Sequence, residues 1–524
     1  MIRISQIKIL YNQPEELEIK VRKLLNINKN ENIEIVIKKE SIDARKKPDI
    51  FKVYTVDIKV SNESRFIKLT SKNQNISFVE ESNFSPIIKK ELKNRPVVCG
   101  FGPAGIFAAY ILALNGASPI VLERGEAVDD RKKAVSDFWN TGVLYNNSNV
   151  SFGEGGAGTF SDGKLNTGVK DPFGYGEFVL NTLVKFGADS SILYSSKPHV
   201  GTDKLQIIIP AIRKEIERLG GEIRFNQTLT NIDYKDGKLI SVTVNDSDII
   251  FCDKLILATG HSARDTFKML YNKKFDMSAK AFAVGFRVEH PQSLIDNVMY
   301  GKDRDEFLPA SPYKLSYTPK DNRGIYSFCM CPGGYVVNSS SEKGGLCVNG
   351  MSYSGRDSEN ANSAIVVSVG LNDYDKDDAL AGVRFQQKIE SSAYKLCNGK
   401  IPQQLYGDFV QNKKSTSFGG INTCVKGERE FSNLRGILSQ DMENSFILGM
   451  TEFGKKIRGF DHEEVILSGV EGRTSSPVRI TRDESFQSNI KGVYPCGEGA
   501  GYAGGITSAA MDGIKVAMAI LREE

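Results

Sequence analysis

The sequence has no apolar run long enough to cross a membrane. Its longest, Ile106 to Leu114, is nine residues, against the ~20 that a spanning helix needs. The opening Met1-Ile2-Arg3-Ile4-Ser5-Gln6-Ile7-Lys8 mixes charged and apolar side chains, unlike the apolar core of a secretory signal. Histidine is scarce, limited to His199, His261, His290 and His462. The eight cysteines include no CxxC pair, so neither a disulfide framework nor a structural zinc site is expected and no metal is assigned. Internal repeats and low-complexity tracts are also absent. What remains is the expectation of a soluble, cytoplasmic protein.

Composition is ordinary for a globular chain, with 25% charged and 40% hydrophobic residues, which excludes wholesale disorder. At ~100–200 residues per domain, 524 residues allow about three domains. Charge is uneven. Residues 1–95 hold 20 Lys and Arg against 13 Asp and Glu, net +7, and the remainder holds 48 against 51, net −3. The basic opening reads as a module of its own. Ile2/Ile4 and Ile7/Ile9 suggest a strand. Pro14 before Glu15 and Glu16 opens a helix with Leu17, Val21, Leu24 and Leu25 on one face. Alternation returns at Ile33/Ile35/Ile37 and Tyr54/Val56/Ile58/Val60. A small N-terminal α+β, ferredoxin-like domain over 1–93 is the expectation. Its run Lys38-Lys39 to Arg45-Lys46-Lys47 is read first as a solvated face interrupted by Glu40 and Asp43. An RNA or protein partner surface is the other reading.

Beyond a polar link through Asn83–Arg95 the character changes. Pro96-Val97-Val98-Cys99 is a short strand that runs into Gly100-Phe101-Gly102-Pro103-Ala104-Gly105. An Ala/Leu-rich helix follows, then a second strand, Pro119-Ile120-Val121-Leu122, ending on Glu123 beside Arg124. Strand, GxGxxG, helix and a late acid form the complete dinucleotide-binding unit. Gly100 permits the turn, Gly102 admits a pyrophosphate, and Gly105 lets helix and sheet approach. The helix N-terminus offers free N–H groups to phosphate, and Glu123 is placed to accept from ribose hydroxyls.

Two later segments choose the cofactor. Lys254-Leu255-Ile256-Leu257-Ala258-Thr259-Gly260 is a strand ending in Ala-Thr-Gly. Gly492-Val493-Tyr494-Pro495-Cys496-Gly497-Glu498 is a strand ending in a glycine-flanked acid, and Gly504-Gly505-Ile506-Thr507 opens a last helix. Together with the first unit these resemble the glutathione-reductase type of flavoprotein with two dinucleotide-binding domains. FAD is therefore expected, with Thr259, Gly260, Gly497, Glu498, Gly505 and Ile506 beside it. That resemblance has Asp more often where Glu498 stands. A third glycine cluster, Ser151 to Leu165, is expected to line the pyrophosphate and isoalloxazine through Gly155, Gly156, Gly158, Thr159 and Lys164. No second complete GxGxxG unit exists, so NAD(P)H is expected only as a transient reductant, or an external partner supplies the electrons.

A closer resemblance covers nearly the whole chain. Phe152–Leu165, Val284-Gly285-Phe286-Arg287-Val288-Glu289-His290-Pro291-Gln292, Phe328-Cys329-Met330-Cys331-Pro332-Gly333-Gly334, Asn349-Gly350-Met351-Ser352 and Glu471-Gly472-Arg473-Thr474-Ser475-Ser476-Pro477 resemble the uncharacterised FAD-dependent, or NAD(FAD)-utilising, dehydrogenases. The likeness implies a Rossmann-like FAD-binding domain over 94–275 and 481–524. It also implies an inserted α+β substrate or cap domain over 276–480. The activity it implies is that of an oxidoreductase passing hydride between flavin N5 and an unidentified small organic substrate or NAD(P)H. An RNA-acting flavoprotein and a non-catalytic flavin redox sensor are the alternatives.

Catalytic candidates are Cys331, His261 and Arg473. CxC differs from the CxxC of disulfide reductases, and its thiols are expected on opposite faces of their strand, so structural cysteines are the plainer reading. His261 and His290 have the intrinsic pKa for acid–base work, and each also fits a structural hydrogen bond. Arg473, with Arg479, suits a bidentate clamp on carboxylate or phosphate, or an ion pair at a helix end.

Overall fold

The computed structural model describes residues 1–67, 69, 73–80, 84–88, 92–320 and 323–523. Asn83 and residues 89–91 of the polar link lie outside them. In chain order the elements that matter begin with β1 (Ile2–Leu10), α1 (Glu16–Leu25), β2 (Glu34–Lys46), β3 (Asp49–Lys59) and β4 (Ile76–Phe78). Next come β5 (Val97–Cys99), α2 (Pro103–Leu114), β6 (Ile120–Leu122), α3 (Val128–Thr141), α4 (Thr202–Arg218), β7 (Glu222–Arg224) and β8 (Leu255–Leu257). The chain then forms β9 (Phe282–Pro291), β10 (Ile325–Cys331), β11 (Asn360–Val369) and β12 (Ile466–Glu471), and closes with β13 (Val493–Pro495) and α5 (Ile506–Arg522).

The N-terminal strands form one antiparallel sheet in the order β2-β3-β1-β4. In β1 the apolar positions jump phase between Ile4 and Ile7. The pairing with β3 slips at the same place, and Gln6 takes φ +60°. A bulge absorbs the extra residue and keeps Ile2, Ile4, Ile7 and Ile9 all buried. On α1, Leu17, Val21 and Leu25 face this sheet, whereas Leu24 is exposed. The expected four-residue stripe is therefore three residues wide.

The second sheet is parallel, in the order β13-β8-β5-β6-β7. Its strands β5, β6, β8 and β13 are buried throughout, as a sheet covered on both faces requires. The nine-residue apolar run lies in α2, where ten of twelve residues are buried, so the helix is apolar all round because it is packed all round. α5 lies against α2 so closely that a Cβ on Gly513 would meet the Ala104 carbonyl at 2.1 Å.

Between β8 and β13 the chain builds a seven-stranded sheet with β10-β11-β9-β12 at its centre. β9 and β11 pair antiparallel from Phe282–Val369 to Pro291–Asn360, over a separate apolar core. The architecture is mixed α/β. No helix among the described residues is long and apolar enough to cross a membrane.

Candidate functional site

A groove of about 360 Å³ runs along the C-terminal ends of the parallel strands, the usual ligand position for an open α/β sheet. It is lined by the β5–α2 turn, the end of β6, the glycine-rich loop, the segment after β8 and the start of α5. Gly100 adopts φ +99°, and a Cβ there would meet the Ala258 carbonyl at 2.3 Å. At Gly105 a Cβ would meet the Gly100 carbonyl at 1.8 Å, so this glycine sets helix against turn. Gly102 differs, since the nearest atom to its Cβ position is Gly156 Cα at 3.7 Å. A side chain there would enter the groove. Gly260, Gly504 and Gly505 likewise face open space.

The helix starts at Pro103 and Ile506 both meet the groove. Two N-termini, each with unpaired N–H groups and partial positive charge, favour phosphate and developing negative charge. Glycine cradles and dipole ends thus fit a dinucleotide cofactor.

Glu123, 5% exposed, ties the loops at one end. Its carboxylate accepts from Phe101 N at 2.8 Å and from Gly125 N and Gly153 N at 2.9 Å. A carboxylate has about four lone-pair sites, so one remains for a ligand hydroxyl. Arg124 stacks on Phe152 at 4.4 Å and pairs with Asp265 at 3.0 Å. Gly156, Gly158 and Lys164 line the groove, whereas Gly155 and Thr159 do not. Those two shape the loop instead: Thr159 Oγ1 donates to the Glu154 carbonyl at 3.2 Å, and a Cβ on Gly155 would meet Thr159 Oγ1 at 2.0 Å.

Sequence reasoning missed what holds this loop. Arg131 on α3 is fully buried and donates to the carbonyls of Asn149, Glu154 and Val150 at 2.9, 2.7 and 3.0 Å. Burial lowers its pKa to about 10, which leaves it charged. Glu154, also fully buried, accepts from Val128 N and Arg213 Nε, both at 2.8 Å. No local pattern marks either residue, because their partners are distant loop carbonyls and a separate helix.

At the other end Thr259, Gly260, His261 and Arg473 share the groove with Glu498, Gly505 and Ile506. Burial, reinforced by the Arg473 and Arg264 charges, pushes the His261 pKa down to about 4, so the ring is neutral near pH 7. Arg473 holds Glu390 bidentately at 2.8 and 2.7 Å and donates to Ser262 Oγ at 3.1 Å, while Arg264 grips the same carboxylate. Its guanidinium serves first as one arm of a buried Arg–Glu–Arg cluster. Arg479 is tied to the Gly501 carbonyl at 3.1 Å and does not join it. His290, on β9 itself, is fully buried against the Phe460 carbonyl at 2.8 Å, outside the groove. Burial pushes the Glu498 pKa up to about 7, and the Lys280 charge opposes the shift. Gly497 adopts φ +75° and donates to Asp512 at 2.8 Å, holding the turn from behind.

Of the CxC pair, Cys329 lines the groove and Cys331 is fully buried. The two thiols do not point apart. Residues i and i+2 of a strand share a face, and across a bulge between Phe328 and Cys331, with Cys329 at φ +43°, the two side chains are neighbours and the Cys331 thiol donates to the Cys329 carbonyl at 3.3 Å.

Known proteins resemble this chain at three levels. Residues 281–474 match the family model "FAD-dependent protein, C-terminal domain-like", and residues 1–59 match a domain of unknown function. An uncharacterised protein of Clostridium beijerinckii is 49% identical over 530 residues, covering 100% of this chain and 99% of that one. Among solved structures, a variant of Escherichia coli quinol fumarate reductase has a TM-score of 0.37 at 11% identity, covering 82% of this chain and 70% of that one. A flavin-dependent brominase variant has a TM-score of 0.38 at 10% identity, covering 82% and 81%.

Proposed function

We propose that this chain, which belongs to the same family as the uncharacterised Clostridium beijerinckii protein, is an FAD-dependent oxidoreductase. The observation that carries the reading is convergence. The Gly100–Ala104 turn and the Glu498–Ile506 segment, at opposite ends of the body sequence, line one groove. An NAD site on the first unit would have no use for the second segment. The family model matched over 281–474 is itself described as FAD-dependent.

Gly100, Gly102, Pro103, Ala104 and Gly105 would receive the pyrophosphate at the α2 N-terminus, with Glu123 and Arg124 beside the adenosine. Gly155, Gly156, Gly158, Thr159 and Lys164 would form the adjoining wall. Thr259, Gly260, Gly497, Glu498, Gly505 and Ile506 would hold the flavin end. When bound, FAD supplies two-electron hydride chemistry at N5. The protein's share is orientation, exclusion of water and the electrostatics of the site. The start of α5 favours negative charge where it meets the groove. His261, neutral near pH 7, is a hydrogen-bonding group there rather than a stored proton.

The reductant or oxidant is a small organic compound or a transient NAD(P)H. We retain 1–93, 94–275, 276–480 and 481–524 as domain limits, with the first ferredoxin-like and the third acting as the substrate domain. An RNA partner at the basic N-terminal sheet would compete with carboxylates that already pair Lys38, Arg45 and Lys52.

The test is flavin content and its bleaching. Purified protein is expected to carry about one FAD per chain and to lose its yellow colour anaerobically with one class of reductant. Gly102→Val fills the groove without touching the protein core, so it is expected to cut FAD occupancy at least ~10-fold while leaving the circular dichroism spectrum intact. A folded Gly102→Val protein with full flavin content overturns the reading.

A further inference from the structure

Six of the eight cysteines behave as buried thiols usually do. Burial pushes Cys99 and Cys252 up to about 12 and raises Cys347, Cys397, Cys424 and Cys496 as well. Cys329 and Cys331 stand apart because of what surrounds them. The kink at Cys329 turns both sulfurs to one side, and the Cys331 thiol donates to the Cys329 carbonyl at 3.3 Å. Beneath the pair lies Arg287, fully buried, with Nη1 2.7 Å from the Cys329 carbonyl and 3.9 Å from Cys331 Sγ. Its position is fixed by Glu471, held at 2.7 and 3.2 Å, and by Asn362 and Asn349 at 2.9 and 3.1 Å. Room for the arrangement comes from Gly350, where a Cβ would meet Arg287 Nη1 at 2.4 Å and Cys331 Sγ at 2.6 Å.

We propose that Cys329 and Cys331 form a reversible dithiol–disulfide couple on the groove wall that exchanges two electrons with the flavin. This inference rests on the FAD reading above. The electrons balance within the site: the Cys329 thiolate and the Cys331 thiol form one S–S bond. Two electrons and the Cys331 proton pass to the oxidised isoalloxazine, giving its anionic reduced form. The reverse step restores one thiolate and one thiol.

Geometry assigns the roles. Cys329, on the groove wall, is the sulfur that meets a ligand, and Cys331 behind it is the resolving thiol. The neighbouring Cys331 side chain, helped by the Lys164 and Arg287 charges, pulls the Cys329 thiol well below its ordinary value. Burial pushes Cys331 the other way. One sulfur is therefore ready to attack while its neighbour keeps the proton. A disulfide closed across a single intervening residue is strained, which makes it readily reduced. Such a bond suits turnover better than structural reinforcement.

The test uses the full chain, equilibrated anaerobically in glutathione buffers from reduced to oxidised, quenched in acid, alkylated and peptide-mapped. The expected result is the joint loss of two alkylation sites, both from the peptide holding Cys329 and Cys331, with the other six thiols unchanged. Cys331→Ser should leave Cys329 as a stable mixed disulfide with glutathione, and Cys329→Ser should leave Cys331 reduced. In flavin-loaded protein without glutathione or oxygen, one flavin bleached per two thiols lost supports the exchange. A pair that stays reduced throughout, or a Cys331→Ser protein that behaves as wild type, overturns the proposal even in yellow protein. A pair that oxidises with glutathione while the bound flavin exchanges no electrons with it overturns the exchange and leaves the FAD reading standing, whereas a wild-type chain that takes up no FAD overturns both.

Discussion

At the residue scale, the groove is a place where burial and charge work against each other, and Glu498 shows which wins. Among the described residues no cation pairs with its carboxylate, so desolvation outweighs the Lys280 charge and its pKa rises to about 7 from 4.5. A carboxyl group raised in the folded state stabilises the fold below its unfolded pKa. That contribution is lost as pH climbs from about 4.5 to about 7. Glu498→Gln removes the penalty of ionisation. Cofactor-free Glu498→Gln protein is therefore expected to match wild type at pH 5 and to exceed it by about 2 kcal/mol at pH 8, read from urea unfolding at both pH values. An equal difference at the two pH values would count against a carboxyl group titrating in this window. The Arg264–Glu390–Arg473 cluster differs in kind. There two guanidinium groups close on one carboxylate, and Glu390 is pulled down to about 2 despite its burial. The sequence named Arg473 as a clamp or an ion pair, but the partner that makes it an ion pair is 83 positions away.

At the element scale, the site depends on how α2 and α5 lie together, since each sends its N-terminus to the groove. The contact is set by Gly513, whose missing Cβ leaves room for the Ala104 carbonyl. Replacing a helical glycine by alanine ordinarily gains about 0.5–1 kcal/mol. Overpacking against a backbone atom costs about 1–3 kcal/mol, and at 2.1 Å the clash dominates. Gly513→Ala is expected to lower stability by about 1–2 kcal/mol and to weaken FAD binding several-fold, measured by unfolding and by quenching of flavin fluorescence. Unchanged affinity would mean that the two helix starts do not jointly hold the cofactor. Elements were also where local pattern spoke most clearly. The isoleucines of β1 marked a strand and the apolar run of α2 a helix, while the bulge at Gln6 and the burial of that helix on every side came from the structure. Leu24 on α1 was misread because it stands next to Leu25, about 100° round the helix, and only the sheet's position settles which of the two faces it.

At the scale of the whole molecule, the N-terminal sheet is attached to the body through a small apolar cluster. Ile50 packs with Tyr300 and Leu308, and Tyr11 and Ile42 close the rim. Tyr11 also bonds Asp305 at 2.6 Å, and Glu40 pairs by backbone with Tyr194 and Ser196 at 2.7 and 2.8 Å. Each uncovered large apolar side chain costs about 1.5–3 kcal/mol. A chain beginning at residue 94 is therefore expected to keep its flavin, to bind a hydrophobic dye and to melt at a lower temperature. Loss of flavin on truncation would assign the N-terminal sheet a direct part in the groove.

The short-range units were legible in the residues alone: the GxGxxG turn with its strand and helix, the late acid of Glu123, the Ala-Thr-Gly strand and the glycine-flanked Glu498. Each is specified by neighbours a few residues away, through φ, helix capping and alternation, and so can be read in one dimension. Tertiary structure alone decided that these units share one groove. It also set Arg131 under the glycine loop and turned Cys329, rather than Cys331, to the groove wall. Those outcomes depend on partners brought together by packing of two apolar cores, and a buried charge or thiol acquires its chemistry from those partners, not from its own stretch of chain.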